Sequence, residues 1–409
     1  MNKYFDYAAT ALPNMEVIQK LLELYPKEYL FGNPSSNHNN GINAKNLLEN
    51  ARKLIAESLK CQSSEIYFTS GGSESDNFAL KGFMSNFETN AELITSTIEH
   101  PAILNTCKEL EKIGYKVKYI KPDGYGYIDI KDIEEQITTN TKLISIMSVN
   151  NEFGVIEPIN EIAKLAHKHN IVFHSDMVQG VGLYNIDLSN IDMASFSGHK
   201  FGAIKGTGIL YKKDDIILNP IIQGGGQEKG LRSGTENVFG ALDMAHCLQN
   251  TIKKKWNKET INNIRKWIND LSTELFEYCE EKIAFISFDE CIANCLTIAF
   301  EDIDSRTLQL LLSQEGYCVS IGSACHSNSA ETSYVMKEIG LPEEFQNGVI
   351  RITVPPETTE KDIKNLGIVL IQKLKYLYES EWYYGRNKNR FCSRKRRKER
   401  KIPSKMFSL

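Results

Sequence analysis

The sequence lacks a long apolar run, a CxxC pair and an internal repeat. No uninterrupted apolar stretch approaches the roughly 20 residues that span a bilayer. The first residues, Met1 to Asp6, contain no basic segment followed by an apolar core. We therefore predict a cytoplasmic protein with no membrane partner.

Cysteine usage also argues against a disulfide framework. The nine cysteines are an odd number and are scattered along the chain. The closest pair, Cys291 and Cys295, has no His or Cys cluster nearby, which favours buried thiols over a zinc site. We expect no bound metal.

Charge is distributed unevenly along the 409 residues, whose net charge is −4. Residues 386–405 contain 11 Lys and Arg against one Glu, so the body is acidic and the end is basic. Such a run cannot bury itself, and we expect a disordered tail over residues 381–409. The tail is either a solvated extension or a contact for RNA or an acidic partner.

Strand-like runs alternate with amphipathic helical patterns, which is typical of an α/β domain. The length favours a large domain over residues 11–250 and a smaller one formed by residues 1–10 and 251–380. Several predicted strands are followed by polar clusters, and such clusters meet at one edge of an open α/β sheet. These strands are Glu65–Thr69, Leu93–Thr97, Leu143–Val149, Ile171–His174 and Met193–Phe196.

One lysine stands out because of its neighbours. The segment Ser195–Lys200 places an amine beside hydroxyls, a glycine and an imidazole, directly after an apolar run. Such a lysine can form a Schiff base with an aldehyde cofactor, while Ser and His donors hold the cofactor's phosphate. An ordinary surface lysine is the alternative for Lys200 alone.

Other segments fit the same cofactor. Gly72 and Ser73 follow a strand and precede a helix, where backbone N–H groups bind phosphate, although a plain turn has the same pattern. Asp176 can pair with a pyridinium nitrogen or cap a helix, and Gln179 can donate to a ring oxygen or be an ordinary polar residue. His100 can stack on a ring and move protons, or be structural.

Two further residues suggest substrate chemistry. Cys325 lies among small and polar residues, where an exposed thiol can act as a nucleophile. Arg351 lies within an apolar strand-like run, so it either clamps a substrate carboxylate or forms a structural ion pair.

Taken together, these motifs resemble the cysteine desulfurases of the NifS/IscS type, which belong to the class V aminotransferase family of fold-type I pyridoxal phosphate enzymes. The resemblance covers roughly residues 5–355. It rests on the segments Asp6–Thr10, Phe31–Ser36, Phe68–Asn77, Val149–Glu152, Ser195–Lys200, Gly224–Glu228, Leu231–Thr235 and Val319–Ser329. It implies a large domain with a mostly parallel seven-stranded sheet and a smaller α/β domain.

The resemblance also implies roles for individual residues. Lys200 would carry the pyridoxal 5'-phosphate, Asp176 would pair with its ring nitrogen and Gln179 with its ring hydroxyl. His100 would stack on the ring beside Asn151. The remaining cofactor contacts would come from Gly72, Ser73, Ser197, Gly198 and His199, and from Thr235 of the second subunit of a homodimer.

On the substrate side, the resemblance implies that Arg351 and Asn151 bind L-cysteine and that Cys325 accepts its sulfur as a persulfide, leaving L-alanine. Sulfur-acceptor proteins, either an iron–sulfur scaffold or a tRNA-thiolating enzyme, would be partners. The segment Ile352–Pro356 departs from the family pattern after the arginine. A selenocysteine lyase, an aminotransferase and a non-enzymatic protein with an RNA-binding tail are the alternatives.

Overall fold

A computed structural model describes residues 3–26, 30–322 and 333–384 of the chain, with side chains up to residue 379. Its strands are β1 (Lys3–Tyr4), β2 (Ile66–Thr69), β3 (Glu92–Ser96), β4 (Lys116–Ile120), β5 (Thr141–Ser145), β6 (Val172–Asp176), β7 (Met193–Ser197), β8 (Gly208–Lys212), β9 (Ile283–Phe285), β10 (Cys295–Phe300), β11 (Tyr317–Cys318), β12 (Ser320–Ile321) and β13 (Val349–Thr353).

Several helices begin at capping residues such as Asn14, Asp129 and Asn257. The side chains of these residues accept hydrogen bonds from N–H groups of the first turn. The helices are α1 (Met15–Leu24), α2 (Asn39–Leu59), α3 (Gly72–Met84), α4 (Pro101–Lys112), α5 (Ile130–Gln136), α6 (Ile159–Lys168), α7 (Val238–Asn250), α8 (Lys258–Cys279), α9 (Ser305–Gln314), α10 (Tyr334–Glu338), α11 (Glu343–Gln346) and α12 (Glu360–Tyr384). Within the described residues, no helix is long and apolar enough to cross a membrane.

A seven-stranded sheet forms the centre of the molecule, in the order β2-β8-β7-β6-β5-β3-β4. Only β8 runs antiparallel to its neighbours β2 and β7, and the other pairs are parallel. Every residue of β3, β7 and β8 is buried, as expected for strands covered by helices on both faces. The predicted α/β class with a mostly parallel seven-stranded sheet is confirmed.

A second core lies around the antiparallel sheet β12-β13-β10-β9. Its apolar cluster joins the amino-terminal Phe5 and Tyr7 to Trp256, to α8 and to α12. Strand β1 pairs in parallel with β11, so the first residues pack on the later part of the chain. The domain bounds given above stay a prediction.

The predicted elements agree with the structure to different degrees. The strands predicted over Glu65–Thr69, Leu93–Thr97 and Met193–Phe196 agree with the observed β2, β3 and β7 to within one residue at each end. The strand predicted over Leu143–Val149 ends at Ser145, because Val149 pairs with Ile156 in a short bridge instead of continuing the sheet. Residues 146–149 are all buried and three of them are apolar, and burial alone does not distinguish a strand from a connecting segment.

A buried ion pair holds the loop of residues 221–236 to the large domain. Arg52 of α2 donates from Nη1 and Nη2 to the two carboxylate oxygens of Glu228, both at 2.8 Å, and also from Nη1 to the carbonyl of Ile66 at 2.7 Å. The Phe68 N–H donates to Glu228 at 2.9 Å. This bidentate geometry satisfies the polar atoms of both side chains, which offsets much of the cost of burying their charges.

Replacing Arg52 by Met is therefore expected to lower the free energy of unfolding by about 3–5 kcal/mol, because Glu228 would be left as a buried, unpaired charge. The matched control is Glu49→Gln, which removes the exposed partner of the same guanidinium and should change stability by less than about 0.5 kcal/mol. Urea unfolding at one fixed protein concentration measures both. If both variants lost the same free energy of unfolding, Arg52 would not be the counter-charge that Glu228 requires.

Candidate functional site

A cavity with a volume of about 670 Å³ lies at the carboxyl ends of β6 and β7. Its wall combines polar residues from both cores of the molecule. Those predicted from the sequence are Gly72, Ser73, His100, Asn151, Asp176, Gln179, Ser197, His199, Lys200 and Arg351.

Lys200 reaches this cavity because β7 ends at Ser197 and a short 3-10 turn, Gly198–Lys200, follows. Gly198 is needed in this turn, since a Cβ there would lie 2.3 Å from the Thr207 hydroxyl. The Lys200 amine donates to the carbonyls of Ala8 and Ala9, at 2.7 and 3.1 Å. Backbone carbonyls of the amino-terminal segment therefore fix the amine within the cavity.

Gln179 lies beside the lysine and shares one of its acceptors. Its side-chain Nε2 donates to the Ala8 carbonyl at 3.0 Å. The sequence alone allowed a ring contact or an ordinary polar role, and the structure places the side chain in the cavity wall.

Asp176 and His100 are neighbouring ionisable residues in the cavity wall. Burial raises the pKa of Asp176, while the neighbouring His100, the Val178 N–H and Lys200 act in the opposite direction. The Val178 N–H donates to the Asp176 carboxylate at 2.9 Å. Burial also lowers the pKa of His100, which Asp176 raises and Lys200 lowers.

The tautomer of His100 follows from its role as a helix cap. Its Nδ1 accepts the Ala102 N–H at 3.2 Å at the start of α4. An acceptor nitrogen carries no proton, so the neutral ring carries its proton on Nε2 and offers an N–H donor.

The start of α3 is suited to an anion. Its N-cap, Gly71, supplies no side-chain hydrogen bond, so the first-turn N–H groups are not satisfied by a cap. Gly72 packs so tightly that a Cβ would lie 2.5 Å from Val178 Cγ2. Ser197 and His199 line the same side of the cavity, and these groups together can hold a phosphate.

Arg351 lies on β13 and reaches the cavity from the smaller sheet. It donates from Nη2 to Asp6 at 2.9 Å and from Nη1 to the Asn151 carbonyl at 2.5 Å. Its Nε is buried and has no hydrogen-bond partner among the described residues. The structural ion pair considered from the sequence is therefore present, and the Arg351 side chain also lines the cavity.

Two predicted residues do not line the cavity, and a third lies outside the described residues. Gly198 is buried behind the Lys200 turn, where its role is the close approach to Thr207. Thr235 is exposed and lies away from the cavity of its own chain. Cys325 lies outside the described residues, although Gly322 and Ser333 on either side of that segment both line the cavity.

The sequence reasoning missed two buried carboxyl groups in the cavity wall, Asp76 and Glu152. Burial raises the pKa of Glu152 to about 7, against the effects of the Ser333 hydroxyl and of Arg351. Ser333 donates to Glu152 at 2.6 Å. A signal for Asp76 was present, because it lies four residues after Gly72 and therefore on the same face of α3.

With this geometry described, the chain can be compared with known proteins. The family model for aminotransferase class-V matches residues 3–366. The chain is 38% identical over 374 residues to a cysteine desulfurase IscS of Clostridium botulinum, covering 89% of this chain and 92% of that protein.

Solved structures give the same result. A NifS-like protein superposes with a TM-score of 0.84 at 34% identity, covering 92% of this chain and all of that one. A structure described as SspA in complex with cysteine superposes with a TM-score of 0.76 at 36% identity, covering 87% of this chain and 100% of that one. The protein studied here belongs to the aminotransferase class-V family.

Proposed function

We propose that this protein is a pyridoxal phosphate-dependent cysteine desulfurase, which converts L-cysteine to L-alanine and transfers the sulfur to Cys325 as a persulfide. The observation that carries this proposal is the convergence of the Lys200 amine, the Asp176 carboxyl, the His100 ring and the Arg351 guanidinium on one cavity. The names of the relatives support it, since they are cysteine desulfurases.

The cavity fits pyridoxal 5'-phosphate. Lys200 would hold the cofactor covalently, Asp176 would face the ring nitrogen, and Gln179 the ring hydroxyl. The uncapped start of α3, with Gly72 and Ser73, would hold the phosphate together with Ser197 and His199. When bound, the cofactor supplies an electron sink for the carbanion that forms when the substrate Cα loses its proton.

Residues of this chain would orient the substrate and move its protons. Arg351, whose guanidinium lies in the cavity wall, would bind the L-cysteine carboxylate. Asn151 lies beside it in the cavity wall. The Lys200 amine, freed when L-cysteine binds, would take the Cα proton, and His100 would offer its Nε2–H as a hydrogen-bond donor.

Sulfur transfer would then occur at Cys325. Its thiolate attacks the substrate sulfur, the Cβ–S bond breaks and an S–S bond forms. The carbon skeleton takes up a proton at Cβ, regains a proton at Cα from the Lys200 amine and leaves as L-alanine, while Cys325 keeps the sulfur as a persulfide. Gly322 and Ser333 lie at the cavity, which supports the placement of this chemistry there.

The proposed partners follow from the need to pass the sulfur on. An iron–sulfur scaffold protein or a tRNA-thiolating enzyme would accept it. The basic segment of residues 386–405, a contact for RNA or an acidic partner by its charge, lies outside the described residues. The protein would act as a homodimer in the cytoplasm, with Thr235 completing the phosphate site of the other subunit.

The first test is an assay of the purified protein with L-cysteine and a thiol reductant, measuring sulfide and alanine together. We expect equal amounts of the two products. Lys200→Ala and Cys325→Ala should both abolish turnover, whereas Cys325→Ala should keep the yellow cofactor, because Cys325 does not hold it. Cys61→Ala is the control and should remain active, since burial raises the pKa of the Cys61 thiol to about 12. Turnover that survives Cys325→Ala would favour a lyase.

The second test concerns Arg351. Replacing it by Lys keeps the charge but removes the planar set of donors, so KM for L-cysteine should rise about 10- to 100-fold. Asp6→Asn is the control, since it removes the ion pair and keeps the guanidinium. If both variants lower the melting temperature alike and neither changes KM, Arg351 has only a structural role.

The third test asks whether Thr235 acts across subunits. Lys200→Ala is inactive, and Thr235→Ala should lose activity when cofactor is limiting. Mixed dimers of the two variants contain one intact site if Thr235 acts on the partner subunit, so mixing should restore up to about a quarter of the wild-type activity. If Thr235 serves its own subunit, mixing will restore none.

A further inference from the structure

A second buried carboxyl shares the cavity with Asp176. Asp76 lies on α3, is 1% exposed and lines the cavity wall. Among the described residues its Oδ1 has no hydrogen-bond partner, and its closest basic neighbour is Nε2 of His174 at 3.8 Å. The proposed mechanism uses Asp176 and leaves Asp76 without a role.

His174 cannot balance a negative charge on Asp76. Both of its ring nitrogens are taken by hydroxyl groups of the neighbouring strands, Nδ1 by Ser145 at 2.8 Å and Nε2 by Ser195 at 3.0 Å. The ring is fully buried, and burial lowers its pKa to about 3. His174 is therefore neutral at neutral pH.

The groups that favour an ionised carboxyl lie beside Asp176 instead. Lys200 favours the ionised form of Asp176, and the Val178 N–H donates directly to its carboxylate. Asp76 forms no ion pair with a lysine or arginine of the described chain, and the hydroxyl of Ser195 is the group that most opposes the effect of its burial. Two carboxyls buried in one site do not both ionise when only one has a counter-charge.

We propose that Asp76 is a positioning residue that stays protonated in the loaded enzyme, so that Asp176 is the single anion facing the cofactor's ring nitrogen. The inference rests on the proposed function, and it goes further by giving opposite charge states to two chemically identical side chains. Its basis is that Lys200 and the Val178 N–H lie beside Asp176, whereas the neutral His174–Ser195 pair lies beside Asp76.

The other ionisable groups around Asp76 support this assignment. Burial and the negative charge of Asp176 raise the pKa of Asp76, and Glu99 adds to the effect. Burial also raises the pKa of Glu99 to about 8, although the Met147 N–H and the Ser96 hydroxyl donate to it. Glu99 therefore shares the preference of Asp76 for the neutral form, whereas Asp176 has Lys200 as a cationic neighbour.

Infrared difference spectroscopy of the holoenzyme tests the proposal directly, because a protonated carboxyl has a C=O stretching band that a carboxylate lacks. Near neutral pH, Asp76→Asn should remove one such band and Asp176→Asn should remove none. Glu157→Gln is the reference, since burial raises the pKa of Glu157 to about 8 and this residue lies outside the cavity. The Glu157 variant should lose its own band.

Two spectral outcomes would overturn the proposal. Loss of a band in Asp176→Asn but not in Asp76→Asn would mean that Asp176 carries the proton. Loss in neither aspartate variant would mean that both groups are ionised. If the purified protein binds no cofactor, the proposed function fails first, and the absorbance of the bound cofactor distinguishes that case before any infrared spectrum is taken.

The pH dependence of the melting temperature gives a second, independent readout. A carboxyl whose pKa is raised by folding contributes stability below its unfolded-state pKa and loses that contribution as the pH rises through the folded-state value. The asparagine in Asp76→Asn does not titrate, so the melting temperature of this variant relative to wild type should increase as the pH rises above the ordinary pKa of an aspartate. A constant or falling difference would overturn the proposal.

Discussion

The contact on which the site depends is the pair of hydrogen bonds from the Lys200 amine to the carbonyls of Ala8 and Ala9. These carbonyls belong to a segment that is itself held by the smaller sheet, since the Tyr7 N–H donates to the Thr353 carbonyl at 3.0 Å. A lysine on the large sheet is thereby positioned by backbone that packs with the second core. The two cores meet at this point, and the cavity is the space between them.

Charge within the cavity is arranged by the same principle. Lys200 and Arg351 both have carbonyl or carboxylate acceptors, and the buried carboxyls differ in the cations that they face. Because these carboxyls are buried, a missing counter-charge leads to a retained proton more readily than to an isolated ion. Glu152, with a pKa raised to about 7, is a further example at the edge of the site.

Sequence reasoning predicted much of this arrangement for identifiable reasons. A lysine that follows an apolar strand, a Gly-Ser pair before a helix and an aspartate at a strand end are local patterns, and Lys200, Gly72 and Asp176 all line the cavity. Asp6 and Asp76 were given no role because their significance depends on tertiary contacts. Nothing near Asp6 in the sequence shows that it meets Arg351, which lies 345 residues away.

The ends of the strands were harder to predict from the sequence for a related reason. Residues 146–149 are buried and mostly apolar, and the same composition suits a strand or a covered connection. The residues brought in by the smaller sheet were recognised mainly through the resemblance to a known family, whose motifs record contacts that local patterns do not.

The pairing of the first residues with the last strands has a consequence for synthesis. Phe5 and Tyr7 form backbone hydrogen bonds with Cys318 and Thr353, so their partners leave the ribosome after all strands of the seven-stranded sheet. The large sheet can form earlier, since its strands end at Lys212. During this interval the carbonyls that hold the Lys200 amine have no fixed position. The cavity is therefore completed late, when the ends of a long loop close at a cost in chain entropy.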